Sequence, residues 1–166
     1  MARLSPEQFD PILSFRFKIQ FSAIQDISFY GKAVNLPVAD NNPLTLDYGN
    51  TQIKVKGKTK WNDIEVTCYA YEKMTMEQLW DYLNKLHQDV NKGEDKYGDD
   101  YKKDIQIQLM NPLDIPIGTW TLIGGFMSQI NFGDLDWSAE EVVQPKLTLS
   151  YDYATFVPAT APTQQV

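Results

Sequence analysis

His87 and Cys68 are the only histidine and the only cysteine in the chain. A zinc site draws its ligands mainly from those two residue types, so the soft donors are too few. A Ser-His-Asp arrangement would have to use His87, and no Gly-x-Ser-x-Gly elbow accompanies it. Gly57-Lys58-Thr59 imitates the end of a phosphate-binding loop. Gln52 stands where that loop needs its first glycine, and strand-like sequence follows instead of a helix N-terminus. These residues read as a hairpin turn. The acidic run Asp89, Asn91, Glu94, Asp95, Asp99, Asp100 lacks calcium-loop order, because Gly93 falls on a ligand position. It reads as a solvated charge run. Glu140-Glu141 is a carboxylate pair, but adjacency along a chain does not set the separation in space that glycoside hydrolysis requires. No set of residues points to catalysis, no cofactor or metal is implied, and the expectation is a protein that is not an enzyme.

The 166 residues suit one domain with a real core. Lys and Arg number 15 against 22 Asp and Glu, a formal charge of −7. That balance opposes a nucleic-acid grip, which needs clustered cations, and reads as a solubilising surface. A single cysteine allows no internal disulfide and implies no oxidising compartment. Met1 to Asp10 has no apolar core of a signal peptide, and no run of ~20 apolar residues exists to span a bilayer. The expectation is a chain that neither inserts in a membrane nor carries a visible export signal.

The elements follow from periodicity. Residues 1–14 form an N-terminal arm. Phe15, Phe17, Ile19 and Phe21 alternate with Arg16, Lys18 and Gln20, the period of a half-buried strand. A second strand runs from about Ile27 to Val34, before Pro37. Residues 38–50 form a long loop holding Leu44, Leu46 and Tyr48, and apolar residues in such a loop suggest a partner surface. Ile53 and Val55, then Ile64, Val66 and Cys68, form a hairpin with Lys54 and Lys56 near Glu65 and Thr67. Thr75 with Gln78 resembles a capping box. It opens one helix that carries Met76, Leu79, Leu83, Leu86 and Val90, with Trp80 alongside, to Gly93, about 17 residues. Ile105 to Leu109 and Ile117 to Ile123 are strands, the second ending at Gly124-Gly125. Phe126, Ser128, Ile130 and Phe132 then alternate with Met127, Gln129 and Asn131. A polar connection anchored by Trp137 leads to Leu147, Leu149, Tyr151 and Tyr153 alternating with Lys146, Thr148, Ser150 and Asp152. Residues 154–166 form a flexible tail. About eight strands and one helix, without β-α-β alternation, make an antiparallel sandwich or barrel with a packed helix.

Three parts of this order carry a resemblance. Lys32-Ala33-Val34-Asn35-Leu36-Pro37 precedes the long loop, Trp61-Asn62-Asp63-Ile64-Glu65-Val66-Thr67 precedes the helix, and Leu135-Asp136-Trp137 precedes the block from Leu147 to Tyr153. Over residues 13–153 the chain resembles the tail tube proteins of contractile-tailed bacteriophages. The resemblance implies a structural virion protein that forms hexameric rings, stacked into the inner tail tube, whose strands join a barrel shared between subunits. It implies passage of DNA through the lumen, and as partners further copies of itself, the tail sheath protein, baseplate and tail-terminator proteins and the tape-measure protein. Assembly in the bacterial host cytoplasm is implied too. Leu44, Leu46 and Tyr48 become candidates for contact between rings. Lys54, Lys56, Glu65, Thr67, Gln129, Asn131, Lys146, Thr148, Ser150 and Asp152 become candidates for the lumen wall. A tube initiator of the baseplate, the inner tube of a contractile injection or secretion system, and a monomeric β-barrel that binds a ligand are the alternative readings.

Overall fold

A computed structural model describes residues 14–22, 31–70, 75–89, 94–95 and 101–159. Its strands are β1 (Phe17–Phe21), β2 (Gly31–Val34), β3 (Ala39–Tyr48), β4 (Thr51–Trp61) and β5 (Ile64–Cys68). After helix α1 (Thr75–Leu86) come β6 (His87–Asp89), β7 (Glu94–Asp95), β8 (Lys103–Met110), β9 (Pro116–Asn131), β10 (Lys146–Ser150) and β11 (Tyr153–Pro158). Seven strands form one antiparallel sheet in the order β1-β8-β9-β10-β5-β2, with β11 also on β9.

That sheet is bent across itself, and the bend lies in β9. Gly124-Gly125 does not end a strand, as the sequence suggests, but turns a 16-residue one. Gly124 has φ of 65°, a left-handed conformation that costs a residue with a Cβ about 1–2 kcal/mol. Before it, β9 pairs with β8 and β11; after it, β9 pairs with β10. The predicted last strand breaks at the same level. Ser150 lies opposite Phe126 and Tyr153 opposite Ile123, so β10 and β11 are two halves of a path that turns at Tyr151-Asp152. The tail expected from residue 154 is therefore strand as far as Pro158, and residues 160–166 lie outside the described residues. Bent strands that pass from one layer to another are how orthogonal sandwiches make their corners.

The core fills the fold of this sheet. Ile19, Phe21, Ile105, Ile107 and Leu122 come from one layer. Ile64, Val66, Cys68, Leu147, Leu149 and Met127 come from the other, and Leu79 and Tyr82 close it from α1. Each fully buried aliphatic side chain contributes about 1.5–3 kcal/mol from removing it from water. Phe15 stays 69% exposed, because the first strand begins only at Phe17. The alternation expected from Phe126 to Phe132 is interrupted too. Thr148 faces Gln129 but Leu149 faces Met127, so Ser128 is an extra residue in β9. This bulge lets Met127 and Ile130, three positions apart, both reach the inner face. The Ser128 hydroxyl donates to Thr148 O at 3.2 Å, and the Met127 N–H donates to the Tyr82 hydroxyl at 3.3 Å. The helix is thereby tied to the bend.

The helix is shorter than its periodicity suggests. It ends at Leu86, and β6 and β7 then pair His87 with Asp95, supplying backbone hydrogen bonds that a further helical turn would have made. Val90 and Gly93 lie outside the described residues.

Leu149 is fully buried between β5 and β9. Leu149→Ala is expected to lower unfolding stability by about 2–5 kcal/mol, read from a urea melt of the variant against the parent chain.

Candidate assembly interface

Residues 38–50 are a strand, not a loop. The turn residues Gly49 and Asn50 close a hairpin between β3 and β4, with Gly49 at φ of 61° and the Thr51 hydroxyl donating to Tyr48 O at 3.1 Å. β4 therefore takes β3 as its partner. The pairing expected between Lys54 or Lys56 and Glu65 does not form, since Lys54 faces Thr45, Lys56 faces Pro43 and Glu65 faces Thr148. Gly57-Lys58-Thr59 is no turn either. Gly57 lies at a bulge in β4, so close to the Asn42 carbonyl that no side chain fits, and Thr59 Oγ1 donates to Asn41 Oδ1 at 2.6 Å.

Register divides this hairpin into two faces. Leu44 pairs with Val55, Leu46 with Ile53 and Tyr48 with Thr51, which places all five apolar side chains on one side. Thr45, Asp47, Gln52, Lys54 and Lys56 take the other. The apolar side has no cover: Leu44 is 56%, Leu46 54%, Tyr48 74% and Ile53 49% exposed. A contiguous apolar surface of this kind marks an interaction site.

The second polar surface lies on the outside of β5, β10 and β9. Lys146 stands between Thr67 and Asn131, and Thr148 between Glu65 and Gln129. Six of the ten lumen candidates thus share one sheet face, with one cation and one carboxylate among amides and hydroxyls. Ser150 sits at its edge, donating to Asp63 Oδ1 at 3.0 Å. Asp152 lies at the bend, packed on Gly124 and ion-paired with Lys102 at 2.9 Å. Lys54 and Lys56 are on the separate hairpin.

The two ends of the β5-β10 pair carry different features. At the Ile64 end the hairpin joins the sheet, where the Trp61 and Tyr151 rings lie 6.1 Å apart and the Asn62 N–H donates to Val38 O at 3.1 Å. Burial first, then the Asp63 carboxylate, push the Tyr151 phenol above its ordinary pKa. At the Cys68 end, Cys68 N and Ala70 N donate to Pro145 O and Val143 O, each at 2.9 Å, and hold the connection from residue 134. That connection is not anchored by Trp137, which is fully exposed. It turns on Asp136, whose carboxylate accepts from the Ser138 N–H and hydroxyl at 2.9 and 2.8 Å; these bonds hold it below the usual carboxylate pKa. A surface cavity of about 320 Å³ opens beside it, lined by Leu135, Glu141, Val142 and Lys146 among others.

Among the described residues the candidate chemistry is not brought together, and the side chains of the acidic run from Asp89 to Asp100 lie outside them. Glu140 and Glu141 are exposed, and no group of three metal-binding side chains occurs among the described residues. His87 is in β6, not on the helix, and its side chain lies outside the described set. Among the described residues, no helix is long and apolar enough to cross a membrane.

The family model of the T4-like virus tail tube protein gp19 matches residues 13–155. The chain belongs to that family. Tail tube proteins are structural components of an inner tube. No curated protein matches this sequence. Among solved structures, the chain is similar to one from the PVC sheath-tube complex of an extracellular contractile injection system in the extended state. The TM-score is 0.74 at 18% identity, covering 95% of this chain and 100% of that one. A chain of the anti-feeding prophage (AFP) baseplate, 6-fold symmetrised, aligns at TM-score 0.70 and 17% identity over 90% and 97% of the two chains. One from the PVC sheath/tube terminator aligns at 0.72 and 19% over 89% and 97%. At these identities the likeness shows the fold: this tail tube protein shares its antiparallel β architecture with tubes, baseplates and terminators.

Cys68 supplies a test of the core. Burial pushes its thiol from 9.0 up to about 11. A folded-state pKa raised above the unfolded one adds stability that is complete below pH 9 and is lost as pH rises to about 11. Cys68 is expected to resist a thiol reagent such as DTNB at pH 8 in the native protein and to react in denaturant. Unfolding midpoints should fall from pH 9 upward.

Proposed function

We propose that this tail tube protein forms hexameric rings that stack into a hollow tube, with Leu44, Leu46 and Tyr48 in the contact between rings. The observation that carries this reading is the uncovered apolar side of the hairpin. Burying the remaining exposed part of each of these side chains adds about 1 kcal/mol. Six hairpins engage at once in a ring, so weak single contacts sum to a stable stack. The 6-fold symmetry named for the AFP baseplate neighbour supports the ring number.

The face bearing Glu65, Thr67, Gln129, Asn131, Lys146 and Thr148, with Ser150 and Asp152 toward its end, is our proposal for the lumen wall. Lys146 and Glu65 balance each other, Asp152 is paired with Lys102, and hydroxyls and amides keep the face wet without offering phosphates a cationic grip. DNA, and the tape-measure protein before it, would slide along such a wall. Lys54 and Lys56 we assign to the hairpin instead. The protein acts without catalysis. Its partners are a contractile sheath, a baseplate and a terminator, since chains of this fold occur in a sheath-tube complex, a baseplate and a sheath/tube terminator. Assembly would take place in the host cytoplasm. Those same likenesses favour a second reading, the inner tube of a contractile injection system, which shares every feature of the assembly and differs in cargo.

Negative-stain electron microscopy of the purified chain tests the proposal. Sixfold rings or hollow tubes are expected at high concentration. Leu46→Asp should abolish stacking while its melting curve stays within about 0.5 kcal/mol of the parent, because the site is exposed. Monomers at every concentration and salt, with a copurifying ligand seen by mass spectrometry, would support the monomeric binding protein instead.

A further inference from the structure

β3 and β4 pair with each other and form a two-stranded sheet apart from the seven-stranded one. Two strands alone are marginal in water, yet this pair is braced from within. The Gly57 bulge seats the Asn42 carbonyl, Thr59 is bonded to Asn41, and the Thr51 hydroxyl holds Tyr48 O at the tip. A braced hairpin moves as one body. Its direction is then set where its two legs, residues 36–38 and 61–63, meet the sandwich.

Hydrogen bonds tie that junction together. The Asn35 N–H donates to Glu65 O at 3.2 Å, the Asn62 N–H to Val38 O at 3.1 Å, and the Ser150 hydroxyl to Asp63 Oδ1 at 3.0 Å. The first and last tie one leg each to β5 and β10, and the middle one ties the legs to each other. A single hydrogen bond keeps its length over a range of angles, so such ties act as pivots. The angle is left to bulk, and Tyr151 supplies it at the turn between β10 and β11. Its ring lies 6.1 Å from that of Trp61 on one leg, the planes tilted by 54°. Its hydroxyl is buried beside the Val38 backbone of the other leg, in hydrogen-bond geometry with neither Val38 nor Asp63. Tyr151 itself packs against the core. Both legs therefore rest on one side chain of the sandwich.

We propose that Tyr151, with Trp61 against it, is the positioning residue that fixes the angle of the hairpin to the sandwich, and that without this ring pair the hairpin swings as a rigid arm about its two legs. A ten-residue strand reaches about 33 Å at 3.3 Å per residue, so a swing of about 15° carries the tip through about 9 Å. An arm fixed before contact loses less freedom when it docks. The hydroxyl makes no bond, so the ring and not the phenol group does the positioning. The hinge stands on the geometry of one chain, and its consequence for assembly rests on the tube reading above.

Distances between spin labels test this. Asn50→Cys places one label at the hairpin tip and Gln129→Cys another on the sandwich. Both sites are exposed, and the buried Cys68 stays unlabelled at pH 8. Diluting labelled into unlabelled chain restricts the signal to distances within one molecule. Double electron-electron resonance should give one narrow distribution for the parent and for Tyr151→Phe. Tyr151→Ala and Trp61→Ala should lose that single peak for a broad one, while circular dichroism matches the parent. Trp61 belongs to the hairpin, so its variant decides the matter if Tyr151→Ala does not fold. The two alanine variants should also need at least a tenfold higher concentration to form tubes, a change of about 1.4 kcal/mol, and Tyr151→Phe should not. A distribution already broad in the parent, one still narrow in Trp61→Ala, or one as broad in Tyr151→Phe as in Tyr151→Ala would overturn the hinge. Broad distributions with unchanged tube formation would overturn its role in assembly. A parent chain that forms neither rings nor tubes overturns the tube reading and leaves the distances to decide the hinge.

Discussion

The structure depends on the crossing of two bent strands. At Gly124 the chain adopts φ of 65°, and directly across from it the path turns again at Tyr151-Asp152. Asp152 closes the crossing: its N–H donates to Ile123 O at 3.0 Å, its side chain packs on Gly124, and its carboxylate takes Lys102. Because both turns fall at one level, one sheet becomes two layers with a shared core. Without the bend, the inner faces of β1 and β8 would not meet those of β5 and β10, and α1 would have no pocket for Leu79 and Tyr82. The layers approach closely at their far margin, where Gly31 lies against Ile19 and Phe17. There β1 and β2 do not pair, and the barrel stays open in the single chain.

An open barrel with an uncovered hairpin is incomplete by physical standards. Sheet edges invite pairing, and exposed apolar stripes invite association. Here the apolar stripe is held on a hairpin whose β3 is exposed along its whole length, and its conformation comes from Gly49, the Asn41–Thr59 bond and the Gly57 bulge. Its cost is solubility in the free chain, offset by the −7 charge of the whole. Among the described residues, polar groups lie spread along sheet faces instead of converging.

Much of the fold was legible in the sequence. Period-two alternation marked Ile19 and Phe21, Ile64 to Cys68, Ile105 and Ile107, and Leu147 and Leu149 as inner faces, and all of these are buried. Leu44, Leu46 and Tyr48 stood out as apolar residues among turn signals, although their alternation with Thr45 and Asp47 was itself a strand signal. Val55 and Ile53, which complete the apolar side, could be found only once β4 was given its partner. The acidic connection was read as anchored by Trp137, and its exposure was not visible in the sequence, because a tryptophan carries the same hydrophobicity whether or not anything packs on it.

The sequence alone determined which side chains of β1, β5, β8 and β10 face inward, and the family, because strand period and motif order are properties of the chain itself. Tertiary structure decided which strand lies beside which. Alternation states a face but never a neighbour, so Lys54 and Lys56 went to β3 instead of β5, and the glycines expected to end strands bent them. It also decided the phase of β9, since the extra residue Ser128 flips every side chain beyond it and shows only as an offset in pairing.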